Sequence, residues 1–146
     1  MVAKSLWALN KIELNELENA KELIESALED EPEHEYIQFV AGRIYFSLKD
    51  YDCAKIYFIK SLEQNRDKET KNLLALTYYE LGEFDKALNI FNALLKENSK
   101  NVSLMLSKAK CQEKLEQNEE ALKTLDELTN FFPECEEAHK MIRRIS

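Results

Sequence analysis

Apolar and polar positions follow one another along this chain with the 3.6-residue rhythm of amphipathic helices, interrupted at short intervals by polar breaks. The rhythm is itself repeated. Ala20, Ala54, Ala87 and Ala121 stand 34, 33 and 34 residues apart, and each lies six residues after a leucine: Leu14, Leu48, Leu81 and Leu115. A fixed period of that size marks one supersecondary unit copied along the chain. Such a unit holds two short helices and their turns but is too short to bury a core alone, so the copies must stack.

With these alanines set at position 20 of a unit, the other columns fall into place. Position 8 reads Ala8, Gly42, Ala75 and Ala109, small every time. Position 11 reads Lys11, Tyr45, Tyr78 and Gln112, position 17 reads Leu17, Tyr51, Phe84 and Asn118, and position 24 reads Ile24, Phe58, Phe91 and Leu125. Small residues at 8 and 20 let two helices approach closely, and large ones at 11, 17 and 24 fill the flanks. The breaks Asp30-Glu31-Pro32, Asn65-Arg66-Asp67, Asn98-Ser99-Lys100-Asn101 and Phe132-Pro133 separate units. The pattern predicts helices over 3–14, 17–30, 35–48, 51–65, 68–81, 84–97, 102–115, 118–131 and 135–145.

These columns resemble the tetratricopeptide repeat, most closely over Leu74-Ala75-Leu76-Thr77-Tyr78-Tyr79-Glu80-Leu81-Gly82-Glu83-Phe84-Asp85-Lys86-Ala87. The resemblance covers residues 1–135 and implies an all-α fold, a right-handed α-solenoid of antiparallel helix pairs. The expected organisation is a single domain over 1–146, with repeats at about 1–34, 35–67, 68–101 and 102–135 and a terminal helix over 136–146. Lys11, Gln112 and Asn118 depart from usually aromatic columns, as end repeats commonly do. Ala138, Met141, Ile142 and Ile145 suit a capping helix, and Arg143 falls where a fifth repeat needs a small residue, which favours an array that ends here.

Composition agrees with helices and narrows the partners. Only 2 Gly and 2 Pro in 146 residues cannot supply the turns of a β-sandwich, and 7 Phe, 6 Tyr and 1 Trp argue against disorder. The net charge of -8 is concentrated in residues 1–34, which carry 3 Lys against 9 acids. No repeat offers the basic stripe that nucleic acid requires, and no apolar run suits a membrane span. Cys53, Cys111 and Cys135 form no CxxC pair, so zinc and disulfide frameworks are not indicated and a reducing cytoplasm is expected. The sequon Asn101-Val102-Ser103 reads as a chance match at a helix start.

Nothing points to catalysis. His34 falls in repeat one and His139 in the terminal helix, two glycines exclude a phosphate-binding loop, and acidic runs such as Glu29-Asp30-Glu31 read as solvated helix ends. No enzyme activity, cofactor or metal is expected.

The resemblance implies that the first helix of each unit lines a concave groove through positions 2, 5, 9, 12 and 13. Leu9, Ile12, Tyr36, Phe39, Phe46, Leu76, Tyr79 and Leu106 form an apolar stripe there, at columns with no expected core role, with Arg43, Asn72 and Lys110 beside it. Such stripes mark interaction sites. The alternative for Phe46 and Tyr79 is that they lean into neighbouring repeats. The expected partner is a protein or peptide segment with apolar anchors and some acidic character, its carboxylate oriented by Arg43 and Lys110.

The family's chaperone-tail clamp uses Lys at 5, Asn at 9, Asn at 6 of the next repeat, and Lys at 2 and Arg at 6 of the third. Here those positions read Ser5, Leu9, Val40, Glu69 and Leu73, then Phe39, Arg43, Leu73, Ser103 and Ser107, so a chaperone C-terminal tail is disfavoured. The competing function is structural: self-assembly into a homo-oligomer, or stacking on further repeats.

Overall fold

In the computed structural model, Lys4, Ala8, Leu9 and residues 16–146 are described. They form helices α1 (Leu17–Asp30), α2 (Glu35–Ser47), α3 (Tyr51–Gln64), α4 (Lys68–Glu80), α5 (Phe84–Glu97), α6 (Val102–Lys114), α7 (Asn118–Phe131) and α8 (Glu136–Ile145). Lys4, Ala8 and Leu9 are also helical, while most of the predicted helix 3–14 lies outside the described residues. Among the described residues there is no strand, and each helix from α1 onward lies within one residue of its predicted bounds. The chain divides into two compact units, residues 1–81 and 82–146.

Caps and turns explain where the helices begin and end. The helices that open units two, three and four are capped by side chains at the inter-repeat breaks. His34 Nδ1 accepts from the Tyr36 N–H at 3.2 Å, an Asp67 carboxylate oxygen from the Thr70 N–H at 3.1 Å, and Asn101 Oδ1 from the Leu104 N–H at 3.0 Å. Inside repeats two, three and four the turn relies on a left-handed residue at position 15: Lys49 (φ 63°), Gly82 (φ 79°) and Glu116 (φ 61°). The Asp50 N–H then reaches back to the Tyr45 carbonyl at 2.9 Å, and the Gln117 N–H to the Gln112 carbonyl at 2.8 Å. This closes the helix end as a Schellman-type cap. Glycine takes that conformation freely, but lysine and glutamate do so at a cost.

In the first unit α1 packs on α2, α2 on α3 and α3 on α4, and α2 also touches α4. Its core gathers Ala8, Ala20, Ile24, Ala27, Ile37, Val40, Ala41 and Ile44, all fully buried. The α2–α3 crossing is close: a Cβ built on Gly42 meets Phe58 Cε1 at 2.5 Å. Gln38, also buried, donates from Nε2 to the Pro32 carbonyl at 2.9 Å and accepts at Oε1 from Gln64 Nε2 at 3.2 Å. It thereby ties the inter-repeat turn to both helices of repeat two.

In the second unit α5 packs on α6, α6 on α7 and α7 on α8. Met105, Leu106, Ala109, Leu125, Leu128, Ala138 and Met141 form the core, flanked by Ile142 and Ile145. The polar departure Gln112 is buried, and its Oε1 accepts from Thr124 Oγ1 at 2.8 Å. An aromatic residue is replaced there by a satisfied buried hydrogen bond.

Candidate functional site

The exposed face of α2 in the first unit carries a run of partly covered aromatic rings. Tyr36 and Phe39 are half-buried one turn apart, with ring centroids 6.3 Å from each other. Phe39 leans inward onto Phe58 at 6.4 Å, and the Arg43 guanidinium lies 5.9 Å from the Phe39 centroid. Tyr36, Phe39 and Leu9 each pack against the core cluster with one side. Phe46 turns into its own repeat and meets Tyr51 edge-on at 5.3 Å. On α4, Asn72, Leu76 and Tyr79 are half-buried.

The stripe is therefore less exposed than the sequence pattern implied. None of its described members is fully exposed, and Leu9, Tyr36 and Phe39 pack against the core cluster. Ile12 lies outside the described residues. Leu106 departs furthest, at 9% exposure within the second unit's core. It shares position 5 with Phe39, but α8 packs beside it and closes it over. Lys110 is also committed, its Nζ 2.8 Å from a Glu137 carboxylate oxygen on α8. Arg144 likewise makes two 2.8 Å hydrogen bonds to the Glu113 carboxylate. A carboxylate held jointly by Arg43 and Lys110 is not what these contacts offer, since one cation is paired and the other is stacked on a ring.

The sequence pattern did not bring out a hollow of ≈ 230 Å³ at the N-terminal ends of α2 and α4. Its lining combines the aromatic Tyr36 and Phe39 with the acidic Glu35, Asp67 and Glu69, and Ser61, Asn65 and Thr70 complete it. Glu69 occupies a groove column, but Glu35 and Asp67 read as ordinary helix-start acids and gave no signal. Away from this face, burial and the Glu25 carboxylate push the Tyr45 hydroxyl up to about 12. Its Oη donates to Glu25 Oε1 at 3.3 Å, and its ring stacks on Tyr57 at 5.6 Å. Burial raises the Cys111 thiol to about 12. Burial, with the Asp50 carboxylate, also pushes the Cys53 thiol above its ordinary value. No group of His, Cys, Asp and Glu side chains among the described residues is arranged to hold a metal ion, and no described helix is long and apolar enough to cross a membrane.

Two sequence models of the tetratricopeptide repeat match the chain, one over residues 5–65 and the other over residues 78–145. The chain belongs to the tetratricopeptide-repeat family. No curated protein matches it by sequence. Among solved structures it is similar to MamA of AMB-1 (TM-score 0.81, 16% identity, 99% of this chain and 85% of that one). It is similar to YrrB, a TPR protein with an unusual peptide-binding site (TM-score 0.79, 21% identity, 97% and 78%). It also resembles a chain of the APC/C hetero-tetramer Cut9–Hcn1 (TM-score 0.84, 16% identity, 99% and 29%). At these identities the likeness shows the fold alone: all-α, the tetratricopeptide-repeat solenoid of antiparallel helix pairs. In the tetratricopeptide register, Tyr36, Phe39 and Arg43 are positions 2, 5 and 9 of repeat two, while Asn72, Leu76 and Tyr79 are positions 5, 9 and 12 of repeat three.

Proposed function

We propose that this tetratricopeptide-repeat chain is a non-enzymatic protein-interaction module that holds a partner segment against the α2–α4 face of its first unit. The observation that carries this reading is the contrast between two sets of aromatic rings. Phe58 and Phe91 are fully buried, whereas Tyr36 and Phe39 stay half-exposed beside a hollow. YrrB, which has the same fold, is a TPR protein with a peptide-binding site, and this supports the reading.

The magnitude supports a modest affinity. Burying a large apolar side chain fully is worth about 1.5–3 kcal/mol, and these groups have already lost roughly two thirds or more of their exposure. Four such groups then contribute a few kcal/mol before the cost of association, short of the roughly 8 kcal/mol of micromolar binding, so polar contacts must supply most of the affinity. The unpaired thiols of Cys53, Cys111 and Cys135 fit a cytoplasmic setting.

The test is binding of a peptide display library to the wild type and to the Tyr36→Ala/Leu76→Ala double variant, with circular dichroism as a check on folding. The expected result is a loss of about tenfold or more in affinity with the fold intact. Unchanged binding by the folded double variant overturns this surface. A concentration-dependent mass in light scattering, with no peptide selected, favours the self-assembly reading instead.

A further inference from the structure

We propose that the hollow at the N-terminal ends of α2 and α4 receives an arginine side chain of the partner segment. The proposal rests on the groove reading above and names the chemistry of its anchor. The hollow's volume, ≈ 230 Å³, lies below the range of about 300–1,000 Å³ usual for small-molecule pockets, so it suits one side chain of a longer ligand.

Its two kinds of lining residue ask for different things from that side chain. Tyr36 and Phe39 give the lining its aromatic residues, Glu35, Asp67 and Glu69 give it three acidic ones, and no lysine or arginine lines the space. Among the described residues no ion pair or hydrogen bond engages the Glu35 or Glu69 carboxylate, and Asp67 uses only Oδ2 to cap α4. Three carboxylates around one hollow attract a cation and repel the acidic segment that the sequence alone suggested. Between the two common cations the rings decide. A guanidinium is planar, stacks on aromatic faces and presents a fork of donors to carboxylates, whereas an ammonium satisfies only the acidic residues.

The experiment uses four pools of synthetic dodecapeptides that differ only in a fixed central residue: Arg, Lys, Ala or Glu. Each pool is titrated by fluorescence anisotropy against the wild type, the Glu35→Gln/Glu69→Gln variant and the Tyr36→Ala/Leu76→Ala variant. Melting by circular dichroism confirms that each variant folds. The Arg pool is expected to bind best, the Lys pool more weakly and the Glu pool least. The double Gln variant should lose about tenfold for the Arg pool and little for the Ala pool, and raising salt from about 50 to 500 mM should weaken the Arg pool most. A wild type that binds the Ala or Glu pool as tightly as the Arg pool, with binding still lost in the Tyr36→Ala/Leu76→Ala variant, overturns the arginine inference and leaves the groove standing. Binding that survives in that variant, or no binding to any pool, overturns both.

Discussion

Gly42→Ala is the substitution for which helix propensity and tertiary packing predict opposite signs. Gly42 lies inside α2, where alanine is intrinsically preferred to glycine by about 1 kcal/mol, so an isolated helix would gain. In the folded chain the new Cβ would lie 2.5 Å from Cε1, 2.6 Å from Cδ1 and 3.0 Å from Cζ of Phe58. The Phe58 ring is fully buried, so it has little room to withdraw. Overpacking of this kind costs about 1–3 kcal/mol, and contacts this short place it toward the upper end. Set against the propensity gain, the net expectation is a loss of about 1–2 kcal/mol in urea denaturation followed by circular dichroism. The cause can be isolated by making Gly42→Ala again in a Phe58→Leu background. There the steric term should shrink and the alanine should become neutral or stabilising, a coupling of about 1–2 kcal/mol. If Gly42→Ala stabilises the otherwise wild-type chain, or if the coupling is zero, α2 and α3 do not cross through this pair and the assigned register is wrong.

Three further outcomes are expected. Lys49→Gly and Glu116→Gly, which relieve left-handed non-glycine residues, should each raise stability by up to about 1 kcal/mol in the same assay; a loss in both would contradict the turn geometry. Thr124→Val strands the Gln112 Oε1 acceptor in a buried site and should cost about 1–2 kcal/mol, less if Gln112 is replaced by Leu at the same time. Stability should also fall with alkalinity. Cys111 and Tyr45 are raised from 9.0 and 10.0 to about 12, so above pH 9 the unfolded chain releases protons that the folded chain keeps, and the decline runs from about pH 9 to about pH 12. Cys111→Ala should flatten the first part of that decline, and a flat profile in the wild type would contradict the burial of both groups.

The repeat period and the small and large columns were enough to set the helices, their order and their buried faces. Ala20, Ala54, Ala87 and Ala121 are all fully buried, as are Ala8, Ala75 and Ala109 at position 8. This legibility has a physical basis: a 3.6-residue pattern records which side of a helix meets its partner, and a repeated unit states it several times over. The left-handed turn at position 15 was legible only at Gly82, since lysine and glutamate carry no mark of the conformation that Lys49 and Glu116 adopt.

The candidate site was less legible, because the pattern cannot say what lies beside a helix. Phe39 and Leu106 occupy the same column, yet Phe39 stays half-exposed on α2 while Leu106 is closed over by α8. Arg43 and Lys110 share another column, yet one stacks on a ring and the other pairs with Glu137. The hollow is drawn from α2, α3, α4 and the turn before α4, so its acidic lining exists only once those segments are brought together. Periodicity along one helix fixes what points inward; whether an outward residue is covered, paired or left open is decided by its neighbours in space.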